Sequence, residues 1–336
     1  MQFKLLVGDV LDRIKDIPDK SINCCITSPP YFNLRDYGTI TWLGGLKDCD
    51  HSSAIYSRPN LRPRLQTNNA GSLFYKTLDF CPTCGAVKLD KQIGQEKTPA
   101  EYVNKLLKVF LEIKRVLCDD GIFWLNIGDS YSKKRYDDCK PKDLIGIPWL
   151  LAFALRKNGF YLRQDIIWSK TNVMPESVKD RCTRSHEHIF MLTKSRKYYF
   201  NHKAMQEPAV CSNDRRSGKG RIEYNGIRKG TNVQNSFVSI GKTRNKRDVW
   251  LCSTNNNVKK AHFAVYPKKL IEPCILAGCP ENGWVLDPFN GSGTSGIVAV
   301  NNDRNYIGIE LNPKFIDITK SRIYNECTDI PNIDLK

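Results

Sequence analysis

Two short segments combine residue types that could act on a ligand, and each follows a run of apolar residues. The first is Thr27-Ser28-Pro29-Pro30-Tyr31, behind the run Ile22–Thr27. Two prolines cannot continue a β-ladder, so the chain leaves its sheet here with a hydroxyl, an outward carbonyl and an aromatic ring at the exit. The second is Asp287-Pro288-Phe289-Asn290-Gly291-Ser292-Gly293-Thr294, behind Trp284–Leu286. Its glycines let the backbone approach a ligand closely. Glu310 stands 23 residues after Asp287, at the end of the next apolar run, a spacing at which an acid usually bonds ribose hydroxyls. An acid at the position of Asp287 would repel a pyrophosphate and suits a cationic or amine-bearing ligand. No Lys follows the glycines, so a P-loop is excluded. A ribose together with an ammonium describes S-adenosylmethionine. Each segment alone could be a stiff or glycine-rich turn; it is their combination that points to a site.

A third cluster has metal-ligand character. Cys49-x-His51 and Cys81-x-x-Cys84-Gly85 supply four soft ligands, and a C-x-x-C-G turn is the usual half of a structural zinc site. The 29 residues between His51 and Cys81 are a long separation, and C-x-H is a tight one. A redox pair would instead sit at a helix N-terminus in a βαβ unit, a context missing around Cys81. The surrounding stretch has too few apolar residues to fold by itself, so a bound metal would explain how it holds a shape.

The elements that must position these groups alternate along the chain. Phe3–Val7 is apolar and ends at Gly8-Asp9; Val10–Ile17 has helical spacing. Ile22–Thr27 and Ile122–Ile127 are continuously apolar, as in strands buried on both faces. Thr98, Pro99 and Glu101 make a helix start, and Val103, Leu106, Leu107, Phe110, Ile113 and Leu117 fall on one face, so the spacing predicts a helix ending at Asp119-Asp120-Gly121. Further helices are expected over Leu144–Asn158, Pro267–Ala277, Ser295–Val300 and Pro313–Tyr324. Further strands are expected over Tyr161–Ser169, His188–Thr193, Trp284–Leu286 and Tyr306–Ile309, and order returns at Asp248–Cys252. Strands alternating with helices imply an α/β fold with a doubly wound, mostly parallel sheet. Two stretches break the pattern. Residues 40–97 have no sustained period and contain the Cys/His cluster. Residues 201–247 lose apolar periodicity and hold eleven Lys/Arg against three Asp/Glu, a surplus of +8. Residues 1–39, 98–200 and 248–330 would then form one catalytic domain.

Composition narrows the partners. The 336 residues are 40% hydrophobic and 26% charged, an ordinary globular mix that rules out a coiled coil or a collagen. The 52 Lys and Arg against 35 Asp and Glu give +17, which points to a polyanion. Within 201–247, Arg215, Arg216, Lys219, Arg221, Arg228 and Lys229 are candidate phosphate contacts. The longest apolar stretch, Leu144–Leu155, is shorter than the roughly 20 residues a bilayer requires, so no membrane is expected. The N-terminus lacks a signal-peptide pattern, and thirteen scattered cysteines suit a reducing, cytoplasmic compartment.

With Ser28-Pro29-Pro30-Tyr31 preceding Asp287–Thr294, and the basic segment between them, the chain resembles the beta-group amino-methyltransferases of DNA. These carry a [DNS]-P-P-[YFW] loop and a D-P-F-x-G-S-G-T loop in that order. The resemblance covers nearly the whole chain. It implies a Rossmann-like methyltransferase fold, S-adenosylmethionine as cofactor and double-stranded DNA as partner, in restriction–modification pairs with a cognate endonuclease or alone. By the same resemblance, Ser28, Pro29, Pro30 and Tyr31 are catalytic. Asp9, Phe263, Asp287, Phe289, Gly291, Gly293, Thr294 and Glu310 bind the cofactor, with Asp9 beside the adenine and Phe263 lining the pocket. Trp168-Ser169-Lys170 and His186-Glu187-His188 match segments flanking the target pocket, and 201–247 falls where the family recognises its target. The chemistry fits: the Ser28 hydroxyl and the Pro29 carbonyl would accept the hydrogens of an exocyclic amine and stabilise charge as it attacks a sulfonium methyl. Tyr31 would stack on the flipped base. Ser at the first loop position leans towards cytosine N4 in this family, where Asp leans towards adenine N6. Methylation at ring carbon requires a thiolate; Pro273-Cys274 is present but lies in the helix before the cofactor loop, so Cys274 reads as core. The rival readings are an adenine-N6 or RNA methyltransferase and a non-catalytic, zinc-bearing DNA-binding module.

Overall fold

The computed structural model describes residues 1–34, 38–56, 76–136, 139–208, 243–254, 266–329 and 331–336. Its centre is a nine-stranded sheet. In chain order the strands are Gln2–Val7 (β1), Ile22–Thr27 (β2), Leu117–Ile127 (β3), Tyr161–Ser169 (β4), His186–Thr193 (β5), Val249–Leu251 (β6), Trp284–Asp287 (β7), Asn305–Glu310 (β8) and Asn332–Leu335 (β9). They lie side by side as β6-β4-β5-β3-β2-β7-β8-β1-β9. Every neighbouring pair is parallel except the two that β5 makes, with β3 and with β4.

Helices cover both faces, which is why the central strands are apolar throughout rather than alternating. Val10–Arg13 (α1), Pro99–Val116 (α2) and Ile147–Lys157 (α3) pack on one face around Leu106, Phe110, Phe123 and Leu151. Lys268–Gly278 (α4), Thr294–Val300 (α5) and Pro313–Glu326 (α6) pack on the other around Phe3, Trp124, Ile275 and Tyr306. α2 starts as its sequence dictates: the Thr98 side chain accepts from the Glu101 amide, and Pro99 opens the first turn. Glu101 reaches back to the Lys97 amide rather than to that of Thr98, so the capping box is offset by one residue. Phe110 is fully buried on this helix, and its truncation to Ala would cost about 3–5 kcal/mol. α5 approaches the sheet through Gly296, where a Cβ would lie 2.5 Å from the Phe3 ring.

Several boundaries differ from those expected. Asp119-Asp120-Gly121 does not form a turn between helix and strand. β3 already begins at Leu117, with Asp119 at its margin paired to Lys20 and Lys194. α3 begins at Ile147 rather than Leu144, because Gly146 takes a left-handed φ of 82° and the Asp129 carboxylate accepts from the Gly146 and Ile147 amides. β5 begins two residues earlier than expected, at His186, and β9 is an edge strand that the pattern did not announce. Cys274 is buried in α4, where burial raises its thiol, as expected of a core residue.

The 40–97 stretch carries two short antiparallel pairs, Thr41–Leu43 with Val87–Leu89 and Ile55–Tyr56 with Lys76–Thr77. Within 201–247, Gln206–Pro208 pairs with Thr243–Asn245, and residues 209–242 between them lie outside the description. So do all six candidate phosphate contacts, Arg215 to Lys229, and the candidate cofactor residue Phe263.

Candidate active site

In parallel sheets ligands bind beyond the C-terminal strand ends. β2 and β7 are adjacent at the sheet centre and end at Thr27 and Asp287, 260 residues apart in sequence, so Ser28–Tyr31 and Asp287–Thr294 emerge side by side. Because β5 runs opposite to its neighbours, its start arrives at the same edge and delivers Glu187 there. These loops enclose one cleft of about 1060 Å³, lined by Asp9, Ser28–Tyr31, Lys170, Glu187, Asp287–Ser292 and Glu310. That is room for a nucleoside cofactor and a second planar ring.

At the cofactor loop Asp287 is an organiser. It is almost fully buried, and both its oxygens are used within the chain. Oδ1 accepts from Thr27 Oγ1 at 2.6 Å and the Phe289 amide at 3.1 Å; Oδ2 accepts from Ser295 Oγ at 2.5 Å and Tyr266 Oη at 3.1 Å. These bonds tie β2, β7 and α5 together. Gly293 has φ 78°, and a Cβ there would meet Thr319 Cγ2 at 2.5 Å, so only glycine fits. Arg322 braces the loop through the Ser292 carbonyl and Thr294 Oγ1. Glu310 accepts from the Gly291 amide at 2.7 Å and the Asn312 amide at 2.8 Å, leaving lone pairs for a ligand. Burial pushes its carboxyl up to about 7, and burial raises Asp287 as well. Among the described residues neither acid has a salt-bridge partner, so two acids on one wall create a demand for positive charge. Asp9 caps α1 by accepting from the Leu11 amide and lines the cleft beside Gly8.

The catalytic loop is wired differently. Tyr102 Oη donates to the Pro30 carbonyl at 2.8 Å and fixes the turn. Tyr31 Oη donates to Glu187 Oε2 at 2.6 Å. Asn126, at the end of β3, directs Nδ2 at Glu187 Oε2 (2.9 Å), Tyr31 Oη (3.0 Å) and Ser28 Oγ (3.3 Å). Lys170 pairs with Glu187 Oε1. Burial opposes ionisation of Glu187, but Lys170 and the surrounding donors outweigh it and hold the carboxyl below its usual range. Asn126 was not singled out from sequence. Its one signal is an amide inside an otherwise apolar strand.

The segment leaving the Cys/His stretch also reaches the cleft. Lys91, Gln92 and Ile93 line it, and the Asn33 amide donates to the Gly94 carbonyl at 2.8 Å. Gly94, at φ 103°, lies so close that a Cβ would be 2.9 Å from the Tyr31 carbonyl oxygen.

Cys49, His51, Cys81 and Cys84 converge, their ligand atoms all within 4.8 Å of one another. Cys49 Sγ and Cys81 Sγ are 3.8 Å apart, and Cys84 Sγ and His51 Nδ1 3.4 Å. Tetrahedral ligands at zinc bond lengths would be about 3.8 Å apart for two sulfurs and about 3.5 Å for sulfur and nitrogen. Ser53 and His51 hydrogen bonds bring the Cys81 thiol down to about 5, favouring the thiolate that a metal binds. Trp42 stacks on His51 at 4.7 Å, and Ala54 and Ala86 close a small apolar core beneath.

A doubly wound sheet whose adjacent central strands present an acid-anchored glycine loop and a Ser-Pro-Pro-Tyr loop to one cleft is the architecture of an S-adenosylmethionine-dependent amino-methyltransferase. Residues 22–321 match the DNA methylase family N6_N4_Mtase, and the chain belongs to it. It is 38% identical to the type II methyltransferase M.Cfr9I of Citrobacter freundii, across 98% of this chain and 90% of that one. It is 36% identical to M.SmaI of Serratia marcescens, across 95% and 90%. The PvuII DNA methyltransferase (cytosine-N4-specific) shares the fold with a TM-score of 0.59 at 18% identity, over 99% of this chain and 95% of that one. The Thermus thermophilus protein TTHA0409, solved in complex with S-adenosyl-L-methionine, does so with a TM-score of 0.54 at 19% identity, over 99% of each chain. The chain is an enzyme that moves a methyl group from S-adenosylmethionine to an exocyclic amine of a DNA base. Among the described residues no helix is long and apolar enough to cross a membrane.

Proposed function

We propose that the amine is N4 of cytosine in duplex DNA, flipped from the helix into the cleft. The observation that carries this is Ser28 at the first position of the catalytic loop, a neutral acceptor where the family's adenine enzymes lean to Asp. The cytosine-N4 specificity of the PvuII enzyme, which shares the fold, supports it. An exocyclic base amine is a poor nucleophile because its lone pair is delocalised into the ring. Acceptance of its hydrogens by Ser28 Oγ and the Pro29 carbonyl favours a pyramidal nitrogen and stabilises its developing charge. The Tyr31 ring is the stacking surface for the base. When bound, the cofactor supplies an electrophilic methyl on sulfur. Glu310 would hold its ribose, Asp9 its adenine side, and Gly291, Gly293 and Thr294 its backbone-facing edge; Phe289 and Phe263 would add apolar walls. Asp287 would act through the loop it shapes and the negative potential it adds.

Residues 40–97 would form a unit held by one structural zinc on Cys49, His51, Cys81 and Cys84; four protein ligands leave no position for substrate. The basic 201–247 segment, with Arg215, Arg216, Lys219, Arg221, Arg228 and Lys229, would contact DNA phosphates and read the target. A cognate restriction endonuclease in the same cytoplasm is the expected partner, by analogy with type II relatives. Digesting methylated DNA to nucleosides and weighing them tests the base. N4-methylcytosine is expected; N6-methyladenine would overturn the choice of base, and 5-methylcytosine would overturn the amine mechanism.

A further inference from the structure

The hydrogen bonds around Tyr31 have a direction. An amide NH2 can only donate, and the two hydrogens of Asn126 Nδ2 are shared among Glu187 Oε2, Tyr31 Oη and Ser28 Oγ, so neither hydroxyl, at 3.0 and 3.3 Å, can direct its own hydrogen at that nitrogen. Their own hydrogens therefore point elsewhere. Tyr31 donates to Glu187 at 2.6 Å, and Ser28 donates to Tyr31 at 3.3 Å. The result is a one-way chain, Ser28 O–H to Tyr31 O–H to the Glu187 carboxylate, starting at the atom that faces the target amine. The groups facing Glu187 are Lys170 from the end of β4, Tyr31 from the loop and Asn126 from β3. His186 and His188 flank it on β5 but point to the opposite face of the sheet, where His188 meets Asp165 at 3.0 Å. Nothing in the loop's stacking role requires a hydroxyl on Tyr31 or an ion pair beneath it.

We propose that Glu187 is the terminal acceptor of the proton displaced from the target amine, reached through the hydroxyls of Ser28 and Tyr31. As the new carbon–nitrogen bond forms, the carbon–sulfur bond of the donor breaks and its electron pair stays on sulfur. The nitrogen becomes cationic and one N–H bond breaks. That proton passes to Ser28 Oγ, the Ser28 proton to Tyr31 Oη, and the Tyr31 proton to Glu187. Both hydroxyls end neutral and the carboxylate ends protonated, to be reset by solvent. Lys170 keeps Glu187 ionised beforehand, and Asn126 holds the chain in register. Ser28 is the catalytic member; Tyr31 Oη, Glu187, Asn126 and Lys170 act through it.

The inference rests on the amine reading of the catalytic loop, and the test separates the two. Single-turnover methyl transfer to a cognate duplex is followed from pH 5 to 9 in wild type, Tyr31→Phe, Glu187→Gln and Lys170→Met. Tyr31→Phe keeps the stacking ring, and Glu187→Gln keeps the shape. Each is expected to slow the step about 10²-fold, with cofactor and duplex affinities within about twofold of wild type. At saturating S-adenosylmethionine the wild-type rate should not fall within this range through Glu187, because the carboxyl is held below its usual value and stays ionised. A fall at the acid end should appear in Lys170→Met, because losing the ammonium makes the carboxyl easier to protonate, and should be absent from the Lys170→Met, Glu187→Gln double variant. Carboxyl ¹³C NMR of the cofactor-free protein, with Glu187 assigned from the Gln variant, should show it ionised at neutral pH and its titration raised in Lys170→Met. A Tyr31→Phe enzyme with wild-type rate and pH profile, or a Glu187 protonated at neutral pH, overturns the relay. If Ser28→Ala is inactive while Tyr31→Phe and Glu187→Gln are not, the loop reading stands and the relay falls. If Ser28→Ala keeps wild-type turnover, the loop reading itself falls.

Discussion

Glu310 makes cofactor affinity a function of pH. Its carboxyl is pushed up to about 7 by burial, from an ordinary value of 4.5, and on the proposed reading it accepts ribose hydroxyls beside a cationic ligand. That offset corresponds to about 3 kcal/mol of disfavoured ionisation in the empty protein. The sign follows directly: the empty protein holds this proton at pH 6, and a ligand that needs the carboxylate must expel it. Affinity therefore rises with pH through 7 and then levels. For one such group the apparent Kd is multiplied by about 11 at pH 6 and by about 1.1 at pH 8, roughly a tenfold change or about 1.4 kcal/mol. Glu310→Gln removes the titration. At pH 8 it should bind about 10- to 100-fold more weakly than wild type, the worth of charge-assisted hydrogen bonds. By pH 5.5 the difference should shrink to a few-fold. Calorimetric titration of S-adenosylmethionine into both proteins between pH 5.5 and 8 measures this, and the ratio of the two cancels the ligand's own ionisation. A ratio that does not change over this range would refute the reasoning.

On the proposed reading, in which both side chains serve the base and not the cofactor, Ser28→Ala and Tyr31→Ala should each reduce methyl transfer by two or more orders of magnitude while cofactor affinity persists; filter-binding and transfer assays on the same samples check it. Gly293→Ala should cost about 3 kcal/mol, from its left-handed φ and the overlap with Thr319, and weaken the cofactor first, as read by thermal melts with and without ligand. Purified protein should carry about one zinc per chain by elemental analysis. Cys84→Ser should lose it and expose 40–97 to proteolysis, with the cofactor site intact. Metal-free protein that is folded and active would defeat the zinc reading.

Both loops were legible in sequence because each is a break in a continuous apolar run: two prolines after Thr27 end one strand, and glycines after Asp287 let the next element turn. Local rules suffice there. They failed where partner choice decides. Leu117–Gly121 reads as a helix end, yet β2 pairs with Leu117 and again from Ile122, so Cys118–Gly121 are carried within the strand as a bulge, with Asp119 beside Lys20. Asn126 and Glu187 are 61 residues apart, and only the reversed direction of β5 brings them to one carboxylate–amide contact. No local pattern encodes which strand runs backwards. The four candidate metal ligands were identifiable from residue type, whereas the close approach of Gly94 to Tyr31 depends on how the connecting segment folds back.

With 201–247 proposed as the target-recognition segment, the ribbon of Gln206–Pro208 and Thr243–Asn245 bears on how such an enzyme could acquire a new target. It brings the two ends of the intervening segment onto neighbouring, hydrogen-bonded strands, and Glu207 locks them by pairing with Arg244 and Arg247. Below it, the Lys246 amide donates to the Met205 carbonyl and ties the ribbon's base together. Whatever lies between Pro208 and Thr243 therefore starts and finishes at one fixed place. Its length and composition are uncoupled from the register of the sheet that carries the chemistry. On the proposed reading, replacing that segment between Pro208 and Thr243 would change the target while the sheet and its cleft keep their register.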